Sequence, residues 1–196
     1  EELVDAAVRR VLSHKFSAGL FENPYTDESL VDSLDDGESR ALALEAAEKS
    51  AVLLMNEWGL LPLDVSSLGS VAVIGPNAGC GTSGASVAGE WCGAQANTVG
   101  SYAQELDTVP VATFYDVVAA AGAKNGFATS FAPGAVLSAN NSDASLIPDA
   151  ITAAEAADLA VIVIGDSLDT CGEWLDADSL ELDGVQLELL KAVVGT

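Results

Sequence analysis

The apolar positions of this chain change period at Pro62. Before it, Val4, Val8, Val11 and Leu12 fall at i, i+4, i+7 and i+8, one face of a helix over 3–16 that Gly19 can terminate. Turn formers and acids from Asn23 to Gly37 read as a linker. Leu42, Ala46, Ala47 and Leu53 then predict a second helix over 38–54, and Pro62 closes the region. After Pro62, short apolar runs at 71–75, 127–132 and 159–164 read as strands. Helical patterns alternate with them. The first carries Phe114, Val117, Val118 and Ala121 and stops at Gly122; the second, near 148–157, aligns Ile147, Ile151 and Ala154; the third carries Val185, Leu189 and Val193. Such alternation predicts right-handed crossovers, so the fold class is α/β: a parallel sheet flanked by helices, preceded by a helical linker segment. Residues 75–102, rich in Gly, Ala and Ser, exceed the usual loop length, which fits an active-site or interdomain loop as well as a surface excursion.

The third strand ends at Gly165-Asp166, and an acidic loop carrying Glu173 follows. Ligand chemistry in open α/β sheets gathers beyond the carboxyl ends of the strands. A carboxylate there is placed to be an acid, a base or a ligand. Glu173 is the candidate, with Trp174 beside it as an aromatic wall; the competing reading is an exposed acid among Asp166, Asp169, Asp176 and Asp178.

Residues 173–177 read Glu-Trp-Leu-Asp-Ala, and 180–186 read Leu-Glu-Leu-Asp-Gly-Val-Gln. They resemble the Glu-x-x-Asp-Arg and Leu-x-Leu-Pro-Gly-x-Gln motifs of glycoside hydrolase family 3, the β-glucosidases and β-xylosidases. Ala177 stands where that family has Arg, and Asp183 where it has Pro. The first change removes a bidentate donor for a carboxylate or sugar hydroxyl. Other segments are similar in the family's order: 4–25 to the close of its catalytic barrel, 44–63 to the approach to its second domain, Val71–Ala78 to that domain's first strand, and Asn97–Tyr102 to a Gly-x-Tyr loop.

The resemblance implies a division into 1–22, the C-terminal end of the barrel; 23–66, a linker and leading helix; and 67–196, an α/β sandwich continuing past this sequence. It implies a retaining, exo-acting β-glycosidase, either β-glucosidase or β-xylosidase, with the 173–176 tetrapeptide leaning to the latter. In that scheme Glu173 is the acid/base, Trp174 and Asp176 bind substrate, the substrate is an oligosaccharide or glycoside, and there is no cofactor. The nucleophilic Asp is expected on a barrel domain in cis, ahead of residue 1, so that 1–196 alone is catalytically incomplete. The alternative is a non-catalytic α/β sugar-binding or interaction module. A receiver-like domain using Asp166 would explain the sheet but not residues 1–63.

Composition narrows the partners. Thirty acids against seven bases give a net charge of −23, which repels phosphate backbones and anionic lipid and leaves neutral sugars unaffected. Nucleic acid and membrane are therefore not expected partners, and no apolar run reaches the roughly 18–20 residues of a membrane helix. Hydrophobic residues make up 49% of the chain, enough for a core, but many are alanines, so packing from a partner domain is expected. One histidine and three dispersed cysteines argue against metal catalysis and a Ser/His/Asp triad. Gly75–Gly81 has the wrong spacing for a dinucleotide loop and reads as a turn. A Cys80–Cys92 disulfide would close a short loop and contribute on the order of 3 kcal/mol in an oxidising compartment; reduced thiols are the alternative. Asn140 opens a glycosylation sequon. The opening Glu1-Glu2 carries no signal peptide, and the acidic surface suits a saline or extracellular setting, so an extracellular or secretory location is expected for the parent protein.

Overall fold

The computed structural model describes residues 1–34, 36–79, 93–100, 111–137, 142–168, 170–177 and 179–196. They divide into two units, Glu1–Leu61 and Pro62–Thr196. In the first, helix α1 (Glu2–Ser17) ends in a Schellman arrangement. Gly19, at φ +68°, donates its N–H to Phe16 O at 3.0 Å, and Leu20 donates to Lys15 O at 3.1 Å. The periodic face of α1 is exposed at Val4, Val8, Val11 and Phe16. A 3-10 turn, Glu28–Ser33, is capped by the Asp27 side chain, and α2 (Gly37–Ser50) by that of Asp36. Helix α2 ends before the expected residue 54. Ser50 Oγ donates to the Ala47 carbonyl, the acceptor that the next helical N–H would need, and Ala51 turns extended.

In the second unit the elements run β1 (Ser70–Ile74), α3 (Gly93–Val99), α4 (Phe114–Asn125), β2 (Ala128–Ala132), α5 (Ile147–Glu155), β3 (Leu159–Ile162) and α6 (Gln186–Val194). The three strands are parallel in the order β2-β1-β3, with Val73 opposite Phe131 on one side and Val161 on the other. This is the α/β class that the alternating pattern predicts. Central β1 is buried on both faces. Val71 and Val73 pack with Phe127, Tyr115, Val118 and Ala121 beneath α4. Ala72 and Ile74 pack with Ala150, Leu189 and Val193 beneath α5 and α6. Full burial of a Val or Ile side chain contributes about 1.5–3 kcal/mol, so β1 anchors both cores.

Helix α4 begins with a capping box, in which Thr113 Oγ1 accepts from Asp116 N–H and the Asp116 carboxylate accepts from Thr113 N–H at 2.8 Å. It does not stop at Gly122. It runs on to Gly126, which has φ +90°. Gly122 provides space instead: a Cβ there would lie 2.6 Å from the Phe127 carbonyl oxygen, where the chain returns to the sheet.

The strand order places a crevice. The chain leaving β1 goes on to α4, on one face, and the chain leaving β3 goes on to α6, on the other. Adjacent parallel strands whose connections diverge in this way open a cleft at their C-terminal ends. The opposite ends are tied shut by Asp158, whose carboxylate accepts from Gly69 N–H and Ser70 N–H, each at 2.9 Å.

Candidate functional site

The crevice begins with a close approach of two backbones. Gly75, directly after β1, has φ +123°, and a Cβ there would sit 2.1 Å from the Val163 carbonyl oxygen. Around it the ladder extends past the strands: Gly75 N–H donates to Ala132 O at 3.0 Å, and Val163 N–H to Ile74 O at 2.7 Å. The chain then turns at Pro76 into Asn77. A cleft of about 520 Å³ opens beyond this point, lined by Asn77, Asn97, Thr98, Phe114, Val117 and Asp166 among others.

Three side-chain amides hold the root of the acidic loop. Gln186, 1% exposed at the start of α6, accepts from Gly165 N–H at 2.9 Å and donates to Gly165 O at 3.0 Å. Its Nε2 also donates to the Asp183 carbonyl at 3.1 Å. A proline at 183 would offer the same acceptor, so this departure from the motif is neutral here. Asn77 and Asn97 form a relay. Asn77 Nδ2 donates to Asp166 O at 3.1 Å, Asn97 Nδ2 donates to Asn77 Oδ1 at 2.7 Å, and Leu168 N–H donates to Asn97 Oδ1 at 3.0 Å. Beyond the root, the Ser167 carbonyl accepts from Thr170 N–H at 3.1 Å and Cys171 N–H at 3.0 Å, a local turn.

Glu173 and Trp174 occupy the tip of a two-residue hairpin. Gly172 and Leu175 exchange both backbone hydrogen bonds, at 3.1 and 3.2 Å. Glu173 is exposed, and Trp174 is 93% exposed. Among the described residues Trp174 is the only non-glycine with positive φ, +72°. A bulky side chain there costs of order 1–3 kcal/mol, and such strain clusters at functional sites.

Of the predicted site residues, the structure therefore brings Glu173 and Trp174 together at one tip. Asp176 lies just past the hairpin, exposed, as does Ala177. None of the four lines the 520 Å³ cleft, whose acid is Asp166. Cys80, Cys92 and Asn140 lie outside the described residues, as does Tyr102. Cys171 is an exposed free thiol. Among the described residues no group of three His, Cys, Asp or Glu side chains is placed to hold a metal ion, and no helix is long and apolar enough to cross a membrane. The clamping roles of Asn77, Asn97 and Gln186 were not foreseen. A signal existed for Gln186: it is an amide beside Val185 in the same apolar stripe as Leu189 and Val193.

The described residues thus form a parallel α/β sheet that presents an acidic hairpin on a clamped root at its switch point. The chain belongs to glycoside hydrolase family 3, since residues 51–196 match that family's C-terminal domain. It is 34% identical to a β-xylosidase of Formosa agariphila over 97% of this chain and 25% of that protein. To a periplasmic β-glucosidase of Salmonella typhimurium it is 30% identical, over 98% of this chain and 26% of that one. The solved β-glucosidase of Erythrobacter marinus superposes with a TM-score of 0.75 at 28% identity, covering 95% of this chain and 26% of the enzyme. A β-glucosidase of intestinal bacteria involved in saponin metabolism gives 0.76 at 26% identity, over 100% of this chain and 28% of that one. The chain thus spans about a quarter of the length of these relatives.

Proposed function

We propose that this chain supplies the acid/base loop of a retaining, exo-acting β-glycosidase, a β-glucosidase or β-xylosidase, with Glu173 as the acid/base. In this reading residues 1–22 are the closing edge of a catalytic barrel, 23–66 the linker, and the nucleophilic Asp belongs to a barrel domain in cis outside residues 1–196. One observation carries it: Glu173 stands exposed at the tip of a short hairpin whose root is fixed by side-chain amides. A carboxylate so held can be presented to a second surface without reordering its own loop.

The chemistry is a double displacement between two carboxylates about 5–5.5 Å apart. The barrel Asp attacks the anomeric carbon as the glycosidic C–O bond breaks, and Glu173 gives its proton to the departing oxygen. Glu173, now ionised, takes a proton from water. The water oxygen attacks the anomeric carbon and the ester to Asp breaks, restoring both carboxyl groups. Trp174 offers a face for sugar stacking, and Asp176 an acceptor for a sugar hydroxyl. A secreted parent would suit the Asn140 sequon and the acidic surface. Ala177, which lacks the family's Arg fork, favours the second reading, a non-catalytic sugar-binding module.

Glu173→Ala in the complete enzyme separates the two. Turnover of glycosides with poor leaving groups should fall by about 10²–10⁴-fold, the usual worth of general acid/base catalysis, and activated aryl glycosides should fall much less. Azide, which attacks without a base, should restore turnover. Equal loss across leaving groups with no azide effect would assign Glu173 to structure and support the module. Residues 1–196 alone should not hydrolyse aryl β-glucosides or β-xylosides above background.

A further inference from the structure

We infer that Asn77 and Asn97, with Gln186, are positioning residues that fix the reactive orientation of Glu173. The inference rests on the acid/base reading above and adds which side chains set that group's geometry. Four backbone groups at the loop root are claimed by amide side chains: the N–H and C=O of Gly165, the C=O of Asp166 and the N–H of Leu168. The amides come from three separate places, the turn after β1 (Asn77), α3 (Asn97) and the start of α6 (Gln186). The loop is thereby referenced to both sides of the switch point.

The relay is directional. Each asparagine uses one N–H and its carbonyl oxygen, so Leu168 N–H, Asn97, Asn77 and Asp166 O form one continuous chain of donors and acceptors. Neighbouring amides in such a chain polarise one another, and loss of one leaves the next unsatisfied. The described residues between the root and the tip are bonded to one another. The Ser167 turn reaches Cys171, and the hairpin closes at Gly172 and Leu175. The backbone that carries Glu173 is therefore tied to the root through these bonds. A displacement of about 1 Å at a reacting group can cost on the order of 10²-fold in rate. Asn97 touches none of the reacting atoms in this scheme, so any effect it has on proton transfer must pass through the loop.

The test is a double-mutant comparison of Asn97→Ala, Glu173→Ala and both together in the complete glycosidase, across aryl glycosides of graded leaving-group acidity. Asn97→Ala should lower kcat by roughly 10- to 100-fold for poor leaving groups and by little for activated ones, with KM nearly unchanged. In the Glu173→Ala background it should add no further leaving-group dependence. Hydrogen exchange of residues 1–196 gives a readout independent of activity: the Leu168 amide, whose hydrogen bond Asn97 accepts, should exchange at least about 10-fold faster in the Asn97 variant, with the Gly165 amide, held by Gln186, and the β1 and β2 amides unchanged. Should Asn97→Ala fail to fold, Asn97→Asp carries the same comparison, since it keeps the acceptor for Leu168 and loses the donor to Asn77. An equal fall for every leaving group, or the same fall with Glu173 absent, would overturn the positioning role. So would wild-type leaving-group dependence in an enzyme where Glu173→Ala shows its own. A Glu173→Ala enzyme without leaving-group dependence overturns the acid/base reading and this inference with it.

Discussion

Trp174 sits where a glycine would be easier. In a two-residue turn whose second tip residue has positive φ, glycine is the unstrained choice. Here φ is +72° on a fully displayed indole. In the proposed function that indole face stacks on a sugar, a contact outside its own loop. Trp174→Gly is therefore expected to stabilise residues 1–196 by about 1 kcal/mol of relieved strain, read as a higher melting temperature, and to raise KM for glycosides in the complete enzyme. A lower melting temperature with unchanged KM would contradict the stacking role. Gly75 is the opposite case, a residue that admits no side chain. Gly75→Ala adds a Cβ 2.1 Å from the Val163 oxygen at φ +123°, and should destabilise the second unit by about 3 kcal/mol or more in urea unfolding. A loss below 1 kcal/mol would mean that the two backbones can part freely. The sequence marks Glu173 and Trp174 through the strand that precedes them. It is silent on Asn77 and Asn97, because a relay joining residues 77, 97, 166 and 168 is a product of tertiary approach and leaves no local spacing.

At the scale of elements, the strands and helices α4, α5 and α6 of the second unit are legible for one reason: each packs apolar side chains into one of the two cores about the sheet, whereas α1 shows a helical period although its apolar face is exposed. Val71 to Ile74 carry no polar group, and β1 is the central strand. Where burial does not set the pattern, the apolar period does not mark the element or its end. Helix α3, Gly93–Val99, has the composition of a loop, with Ala94 its one buried residue. The stop at Gly122 failed because glycine there serves close packing against Phe127, and the left-handed terminator comes four residues later. The end of α2 was set by a serine hydroxyl that competes with the backbone, which no apolar period records. Two 3-10 turns show the same local competition in acid form. The Asp27 and Asp64 carboxylates accept from the hydroxyl and backbone N–H of Ser29 and Ser66, which holds both carboxyls below the ordinary aspartate value. A folded pKa below the unfolded one means the caps are at full strength above about pH 3.9 and are lost as pH falls through the lower folded values. The Ser29 and Ser66 amide resonances should titrate with midpoints below about pH 3.9. Midpoints at or above it would show that the caps do not form in solution.

For the whole molecule, a charge of −23 on 196 residues opposes compaction through self-repulsion. Salt shortens the reach of that repulsion, from a Debye length of about 30 Å at 0.01 M to about 3 Å at 1 M. The melting temperature should therefore rise by several degrees over that range. A flat or falling dependence would mean that the acids are paired or too dispersed to repel. The family and the α/β class were readable in the order of several weak motifs, and the match over residues 51–196 bears that out. The proposed reaction assigns the acid/base role to Glu173. The most direct test is the configuration of the product when the complete Glu173→Ala enzyme acts on an activated aryl β-glycoside in azide. A covalent intermediate on the barrel Asp leaves only the face vacated by Glu173 open to attack, so the product should be the β-glycosyl azide, identified by its anomeric proton coupling. Formation of the α-azide, or of no azide at all, would contradict the assignment of Glu173 as the acid/base.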